Sequence, residues 1–291
     1  MLEDLLMIVI FGFIMGAIYL LIALGFSLIC GVLRIFHMGY AYLFPLTVYG
    51  TWLFMREFGL GLVPAIIGMV LLQFAVALLI YKIMIKTTLD DEMTMLGGLL
   101  LVALIVSELA SWRYPIQEAV YLDTTIMEGV WSIGIAVIPK QLVIAAFVGL
   151  VMTGLFALFF VKTRTGLAIR ALSQDILSSQ VVGLNVERLY TFVMLIVLLP
   201  VIVAMLLVAP VWTVDPQCGW QYMTTAILIA VLGGLGNIRG TIIASFIIGV
   251  THNIMCFILG EPRFMNVSAM IVVMAVLIVR PQGIMRSESI W

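Results

Sequence analysis

The sequence KTRTGLAIRALSQDILSSQVVGLNVERL, residues 162–189, is the longest polar helical pattern in a chain that is otherwise mostly apolar. Apolar runs flank it at about 140–161 and 191–211. A helix needs roughly 20 apolar residues to cross the hydrocarbon core of a bilayer, which is about 30 Å thick. Both runs have that length, so the pattern predicts two membrane spans joined by a loop that lies in water.

The composition extends this interpretation to the whole chain. Of its 291 residues, 64% are hydrophobic and 10% are charged, whereas a soluble domain has about 25% charged residues. So few charges cannot cover a water-facing surface, and we predict an integral membrane protein. The net charge of −1 argues neither for nor against a nucleic-acid partner, but no basic arm is present to hold phosphates, so none is expected.

Cysteine and histidine give no sign of metal or redox chemistry. The cysteines are Cys30, Cys218 and Cys256, which are widely spaced and form no C-x-x-C pair. His37 and His252 are the only histidines. We therefore expect no metal site and interpret the cysteines as apolar filler.

The apolar runs predict an all-α polytopic fold with eight to nine membrane helices, some of them short or broken, in a single domain over residues 1–291. The first run is expected to be retained, because Glu3 and Asp4 stand where a signal peptide is basic. The second run contains Pro45, and the seventh ends in glycines, features that often mark segments lining a transporter cavity. The runs are about 5–30, 39–55, 62–81, 94–112, 140–161, 191–211, 221–236 and 241–259, with a ninth, 265–280, that is nearly long enough.

Charge predicts the orientation. Nine crossings that start outside end inside, and they place ten of the fourteen Lys and Arg residues on the inner side. The inner residues are Arg34, Lys82, Lys86, Lys162, Arg164, Arg170, Arg188, Arg239, Arg280 and Arg286, and the outer ones are Arg56, Arg113, Lys140 and Arg263. The positive-inside rule then favours an outer N-terminus, an inner C-terminus and a cytoplasmic 162–189 loop.

The loop combines polar residues with small and apolar ones at helical spacing. Arg164, Arg170, Gln174 and Asp175 alternate with a face that consists of Ala168, Ala171, Leu172, Val181 and Val182. Gly183 ends the pattern. We predict one or two short cytoplasmic helices with a face for docking. A plain connector between two spans is the alternative.

Several short motifs occur in order along the chain: AIYLLIALG (17–25), GVLRI (31–35), KTRTGLAIRA (162–171), QD (174–175), GLNVER (183–188), VLGGLGNIRG (231–240) and RPQG (280–283). In these motifs the chain resembles the permeases of branched-chain amino acid ABC transporters, over about residues 12–284. The resemblance implies a permease subunit of an ATP-driven importer in the inner membrane of a bacterium. It implies a second permease subunit, two ATP-binding subunits and an external substrate-binding protein as partners, beside membrane lipid.

The resemblance also implies that ATP is bound by the partners, and no G-x-x-x-x-G-K-[ST] loop for phosphates occurs in this chain. We therefore expect no enzymatic activity and no cofactor here. On this analogy, residues 171–183 seat the chain on an ATPase. The candidate coupling residues are Arg170, Ala171, Gln174, Asp175, Ser178, Ser179 and Gly183.

One segment departs from the family pattern. After Ile35 and Phe36 the family usually reads close to Asn-Phe-Ala-His-Gly-Glu, whereas His37, Tyr40 and Tyr42 stand here at the Asn, His and Glu positions. These residues are candidates for the substrate path. They leave open whether the substrate is a branched-chain amino acid or a related small organic acid or amino acid. Drift in a structural turn is the alternative.

Four more residues are substrate-path candidates. Glu108 is a carboxylate within a predicted span, where burial of a charge is costly. The alternative is that Glu108, near the outer end of this span, simply reaches the membrane interface. Gly233, Gly234 and Gly236 could break a helix beside a cavity or could pack two helices closely. A stand-alone secondary transporter is the alternative function, and Glu108 is its one clear candidate for ion coupling.

Overall fold

The computed structural model describes residues 2–88, 91–114, 120–133 and 136–285. These form twelve α-helices: α1 (Leu2–Leu33), α2 (Leu43–Arg56), α3 (Leu62–Ile80), α4 (Glu92–Arg113), α5 (Lys140–Lys162), α6 (Arg164–Gln174), α7 (Ile176–Val181), α8 (Val186–Ile196), α9 (Leu198–Val208), α10 (Cys218–Gly233), α11 (Ile238–Phe257) and α12 (Met265–Val279). A 3-10 helix (Met38–Tyr42) leads into α2, and a π-helical turn (Tyr81–Ile85) extends α3. A second 3-10 turn (Pro262–Phe264) precedes α12. The prediction of a helical membrane protein is confirmed.

Within the described residues, seven helical stretches are long and apolar enough to cross a membrane: Leu5–Leu33, Leu62–Ile85, Glu92–Arg113, Lys140–Lys162, Val186–Val208, Ile238–Phe257 and Pro262–Val279. The predicted total of eight spans requires one of the shorter helices α2 and α10 as well, and a total of nine requires both. These helices have 14 and 16 residues. The fold also contains strands, which an all-helical prediction omits. Strands β1 (Val130–Ile133) and β2 (Ala136–Pro139) form an antiparallel pair with Val130 opposite Pro139.

Helix α1 is the centre of the bundle. Its residues from Ala17 to Leu33 are buried on every side, as a helix that is apolar all round should be. It packs against α5, α9, α10 and α11. The contact with α11 is close because it is made by glycines: a methyl group on Gly249 would lie 2.6 Å from the backbone nitrogen of Gly16. Small residues let membrane helices approach to this distance.

The bundle has two polar ends. At the first, which we call the loop end, Lys86 pairs with Glu187 at 2.6 Å, and Arg34 reaches the end of α6. At the second, the hairpin end, Glu57 pairs with Arg113 near the β-hairpin side of the bundle. Arg286, one of the predicted inner cations, lies outside the described residues.

The second apolar run is broken near its start. Residues 34–37, which lead away from the loop end, have no helical structure. Helix α2 begins only at Leu43. Pro45 is the third residue of α2, in the first turn, where its missing N–H costs no helical hydrogen bond. Backbone that is not α-helical is tolerated at membrane depth where protein covers it, and residues 39–42 of the 3-10 helix are buried.

Candidate functional site

The 162–189 loop contains two short helices, α6 and α7, and the first turn of α8, in agreement with the prediction of one or two short helices. Each helix start is capped by a side chain. The Thr163 hydroxyl accepts from the Gly166 N–H at 2.9 Å, and the Asp175 carboxylate accepts from the Ser178 N–H at 3.1 Å. Asn185 caps α8 in the same way. Side-chain acceptors at N-caps stabilise helices that are too short to persist alone.

Asp175 is also the joint between the two helices. Its backbone is extended, with φ −151° and ψ 112°, so α7 leaves α6 in a new direction. Hydrogen bonds from the Ser178 side chain and backbone hold the pKa of the Asp175 carboxyl below its usual value. The cap is therefore charged at neutral pH, when it accepts most strongly.

The structure exposes only part of the face that was predicted for docking. Leu172 was assigned to it, but Leu172 is fully buried, as is Ile169, because this side of α6 packs on the bundle. The exposed large apolar side chains of the loop are Leu167, Leu177, Val181 and Val182. Leu177, Val181 and Val182 are 74%, 87% and 81% exposed. We call these three residues the α7 apolar patch.

Six of the seven candidate coupling residues lie on the surface of the loop: Arg170, Ala171, Gln174, Asp175, Ser178 and Gly183. Ser179 is buried, and its hydroxyl donates to the Asp175 carbonyl oxygen at 2.7 Å. Gly183 adopts φ +87°, a left-handed conformation that glycine accepts without strain. The seven residues thus lie together on one unit, and their contact with an ATPase stays a prediction.

Sequence reasoning missed Arg34. Its guanidinium donates to the carbonyl oxygens of Ser173 and Gln174, both at 2.8 Å. A signal was present in the sequence, since a cation at the end of the first span, on the same side as the loop, can cap a helix C-terminus.

A cavity of about 590 Å³ lies beside α6 at the loop end. Arg170, Ala171 and Gln174 line one wall, and Gly236 and Arg239 line the opposite wall. The structure therefore places one of the substrate-path candidates, Gly236, beside the 162–189 loop.

The glycines after α10 make close backbone contacts. A methyl group on Gly233 would lie 2.5 Å from the carbonyl carbon of Gly240. Gly234 has φ +94° and packs on the backbone of Met285. These contacts give each glycine a packing role, and a role in the substrate path stays a prediction.

His37, Tyr40 and Tyr42 lie together in the break before α2, and all three are buried. The Tyr40 hydroxyl donates to the Ile22 carbonyl oxygen of α1 at 2.8 Å. Both ring nitrogens of His37 lack a hydrogen-bond partner within the described part of the chain. Buried polar atoms of this kind require an explanation, and the segment remains a candidate for the substrate path.

Glu108 lies apart from this group. It is exposed near the hairpin end of α4 and accepts from the Gln217 amide at 3.2 Å. The secondary-transporter alternative depended on Glu108 as a buried group for ion coupling. The exposed position of Glu108 therefore argues against that alternative. Among the described residues no cluster of three or more His, Cys, Asp or Glu could hold a metal ion.

Comparison with known proteins identifies the family. The sequence profile described as "Branched-chain amino acid transport system / permease component" matches residues 8–280. The chain belongs to this permease family. Its members are transport subunits. The motifs that carry the resemblance lie within the matched range, except that RPQG (280–283) extends three residues beyond its end.

Relatives of the permease cover most of its length. The high-affinity branched-chain amino acid transport system permease protein BraD of Pseudomonas aeruginosa is 25% identical over 94% of this chain and 93% of its own. LivH of Salmonella typhimurium, also named a high-affinity branched-chain amino acid transport system permease, is 27% identical over 55% of this chain and 54% of its own.

A solved structure shares the fold of the permease. This is PsaBC from Streptococcus pneumoniae in complex with Fab, with a TM-score of 0.53, 15% identity, and coverage of 94% of this chain and 91% of that one. At this identity the likeness concerns the fold alone.

Proposed function

We propose that this permease is a membrane subunit of an ATP-driven ABC importer in the bacterial inner membrane, and that it forms half of the path for a branched-chain amino acid or a related small organic acid or amino acid. The observation that carries the proposal is the α6–α7 unit. It projects an apolar patch from the loop end while the opposite face of α6 is fixed to the bundle. Exposed apolar groups at a water-facing end mark an interaction surface.

We further propose a single domain with nine crossings, an outer N-terminus and an inner C-terminus. The contacts at the two ends support this arrangement. Residues that the nine-crossing count assigns to the inside contact one another, as in the Lys86–Glu187 pair. The pair Glu57–Arg113 joins two residues assigned to the outside. In this arrangement α2 and α10 are the two additional crossings.

The partners in this proposal are a second, different permease subunit, two ATP-binding subunits and an external substrate-binding protein. ATP is hydrolysed by the ATP-binding subunits and drives the movement of α6–α7. The support is the family and the exposed α7 apolar patch, together with the lack of a phosphate-binding glycine loop in this sequence.

The docking proposal is tested by charging the patch. The double variant Leu177→Asp and Val181→Asp should abolish co-purification of the ATP-binding subunits, because a carboxylate in an apolar contact is left desolvated and unpaired. Leu259→Asp, an exposed leucine after α11 at the hairpin end, is the matched control and should retain the ATPases. Full ATPase recovery with the double variant would disprove the docking site.

The substrate proposal needs a separate measurement. The complete complex in proteoliposomes, with its binding protein, should accumulate radiolabelled leucine on addition of ATP, and excess valine or isoleucine should compete. Competition by a small organic acid but not by these amino acids would assign the alternative substrate class. Uptake driven by an ion gradient without ATP would contradict the importer proposal.

A further inference from the structure

Arg34 has an unusual backbone conformation. It follows the last residue of α1 and has φ +54°, the one positive φ of a non-glycine residue in the described ranges. Side chains with a Cβ seldom occupy this region, and they stay there only when the surroundings hold them. The conformation turns the chain from the end of α1 toward the break before α2.

The Arg34 side chain is held at the end of α6. One guanidinium nitrogen, Nη2, donates to the carbonyl oxygens of Ser173 and Gln174, at 2.8 Å in both cases. These carbonyls belong to the last turn of α6, where helical partners are missing and the helix dipole is negative. Charge-assisted hydrogen bonds of this kind are stronger than neutral ones.

This contact joins two parts of the permease that are about 140 residues apart in sequence. On one side, α6 ends at the Asp175 joint, beyond which α7 presents its apolar patch. On the other side, Arg34 is continuous with residues 35–42. In this segment Gly39 approaches the Leu99 carbonyl of α4, and Tyr40 binds the carbonyl of Ile22.

Open space surrounds the contact. A cavity of about 410 Å³ is lined by Arg34, Glu92 and Gln180. The 590 Å³ cavity on the other side is lined by Ser173 and Gln174. Both spaces open to the surface, so packed side chains do not fully enclose the end of α6 here. The Arg34 guanidinium links this end of α6 to the end of α1.

We propose that Arg34 is the positioning residue through which movement of α6–α7 reaches residues 35–42, the segment that carries His37, Tyr40 and Tyr42. The inference rests on the proposed function of α6–α7 as the ATPase-coupling unit. Arg34 contacts neither substrate nor ATP in this scheme. It sets the position of the segment that follows it.

Cys30 provides a probe of this link. It is buried in α1 about one turn before Arg34. In a chain with Cys218→Ala and Cys256→Ala it is the remaining cysteine. The rate at which N-ethylmaleimide modifies Cys30 is measured in the complete complex, first without nucleotide and then with ATP and vanadate. With Arg34 present, this rate should differ several-fold between the two states.

The variant Arg34→Gly removes the side chain and keeps a residue that accepts φ +54° without strain, so the variant should fold. It should bind the ATPases and hydrolyse ATP while the nucleotide-dependent difference at Cys30 is lost. Arg34→Lys, which keeps the charge, should restore part of the difference. The control is Arg56→Gln, because the Arg56 side chain is exposed at the hairpin end, away from α6 and α7. It should behave as the wild type.

A full nucleotide-dependent difference in Arg34→Gly would overturn the proposal, and so would the absence of a difference in the wild type with hydrolysing ATPases bound. Failure of the ATPases to bind the wild-type chain would overturn the proposed function, and the Arg34 proposal with it. The two failures are therefore distinguishable by ATPase recovery alone.

Discussion

The substitution Gly249→Ala should destabilise the bundle at its central contact, between α1 and α11. The added methyl group would lie 2.6 Å from the Gly16 nitrogen, 2.7 Å from the Gly12 oxygen and 2.8 Å from the Gly16 Cα. Carbon atoms in contact are normally about 3.5–4.0 Å apart, so the two helices must separate by roughly 0.7–1.2 Å. All three neighbours are backbone atoms, which cannot turn away as a side chain can.

Overpacking of this kind costs about 1–3 kcal/mol. We therefore expect the Tm of the detergent-purified permease to fall by several degrees, measured by the loss of monodisperse protein after heating. The matched control is Gly154→Ala in α5, where a methyl group meets nothing within 4 Å. This control should melt at or above the wild-type temperature. If Gly249→Ala and Gly154→Ala melt together, the close contact between α1 and α11 is wrong.

Three further changes test other parts of the structure. Asn185→Ala removes the cap of α8 and should cost about 1 kcal/mol of stability. Amide exchange at the start of α8 should become faster, and unchanged exchange would mean that the cap does not form. Lys86→Ala should change the Tm little, because both partners in the pair with Glu187 are more than half exposed and water screens such surface pairs. A fall in Tm as large as that of Gly249→Ala would show that the pair is shielded from water. Tyr40→Phe loses the hydrogen bond to the Ile22 carbonyl and should cost about 0.6–1 kcal/mol, measured as a small fall in Tm, and an unchanged Tm would mean that this bond does not form.

Much of the fold could be predicted because it depends on length and polarity alone. Apolar runs such as 140–161 give helices in a bilayer, since the backbone has no other way to satisfy its hydrogen bonds there. The polar 162–189 loop follows from the same reasoning. The end of its helical pattern at Gly183 could also be predicted, because helix periodicity and a left-handed glycine are local properties.

Other features depend on tertiary contacts and could not be predicted. Leu172 was placed on the docking face because its spacing fits that face, but the side of α6 that turns toward the bundle is decided by packing on α5 and α1. The role of Gly233 is ambiguous in sequence, because a glycine that touches another backbone and a glycine that lines a cavity look the same. Arg34 was counted only as a charge, since its partners are backbone carbonyls far along the chain.

The close contact of Gly233 with Gly240 has a consequence for how the protein is made. Helix α10 has 16 residues, fewer than the roughly 20 that partition into a bilayer as one span. Its partner α11 has 20 residues and begins only five positions later, at Ile238. We therefore expect the ribosome to have produced both helices before either settles in lipid, so that they enter the bilayer as a preformed hairpin. The glycine pair then acts during biosynthesis, before the finished bundle exists.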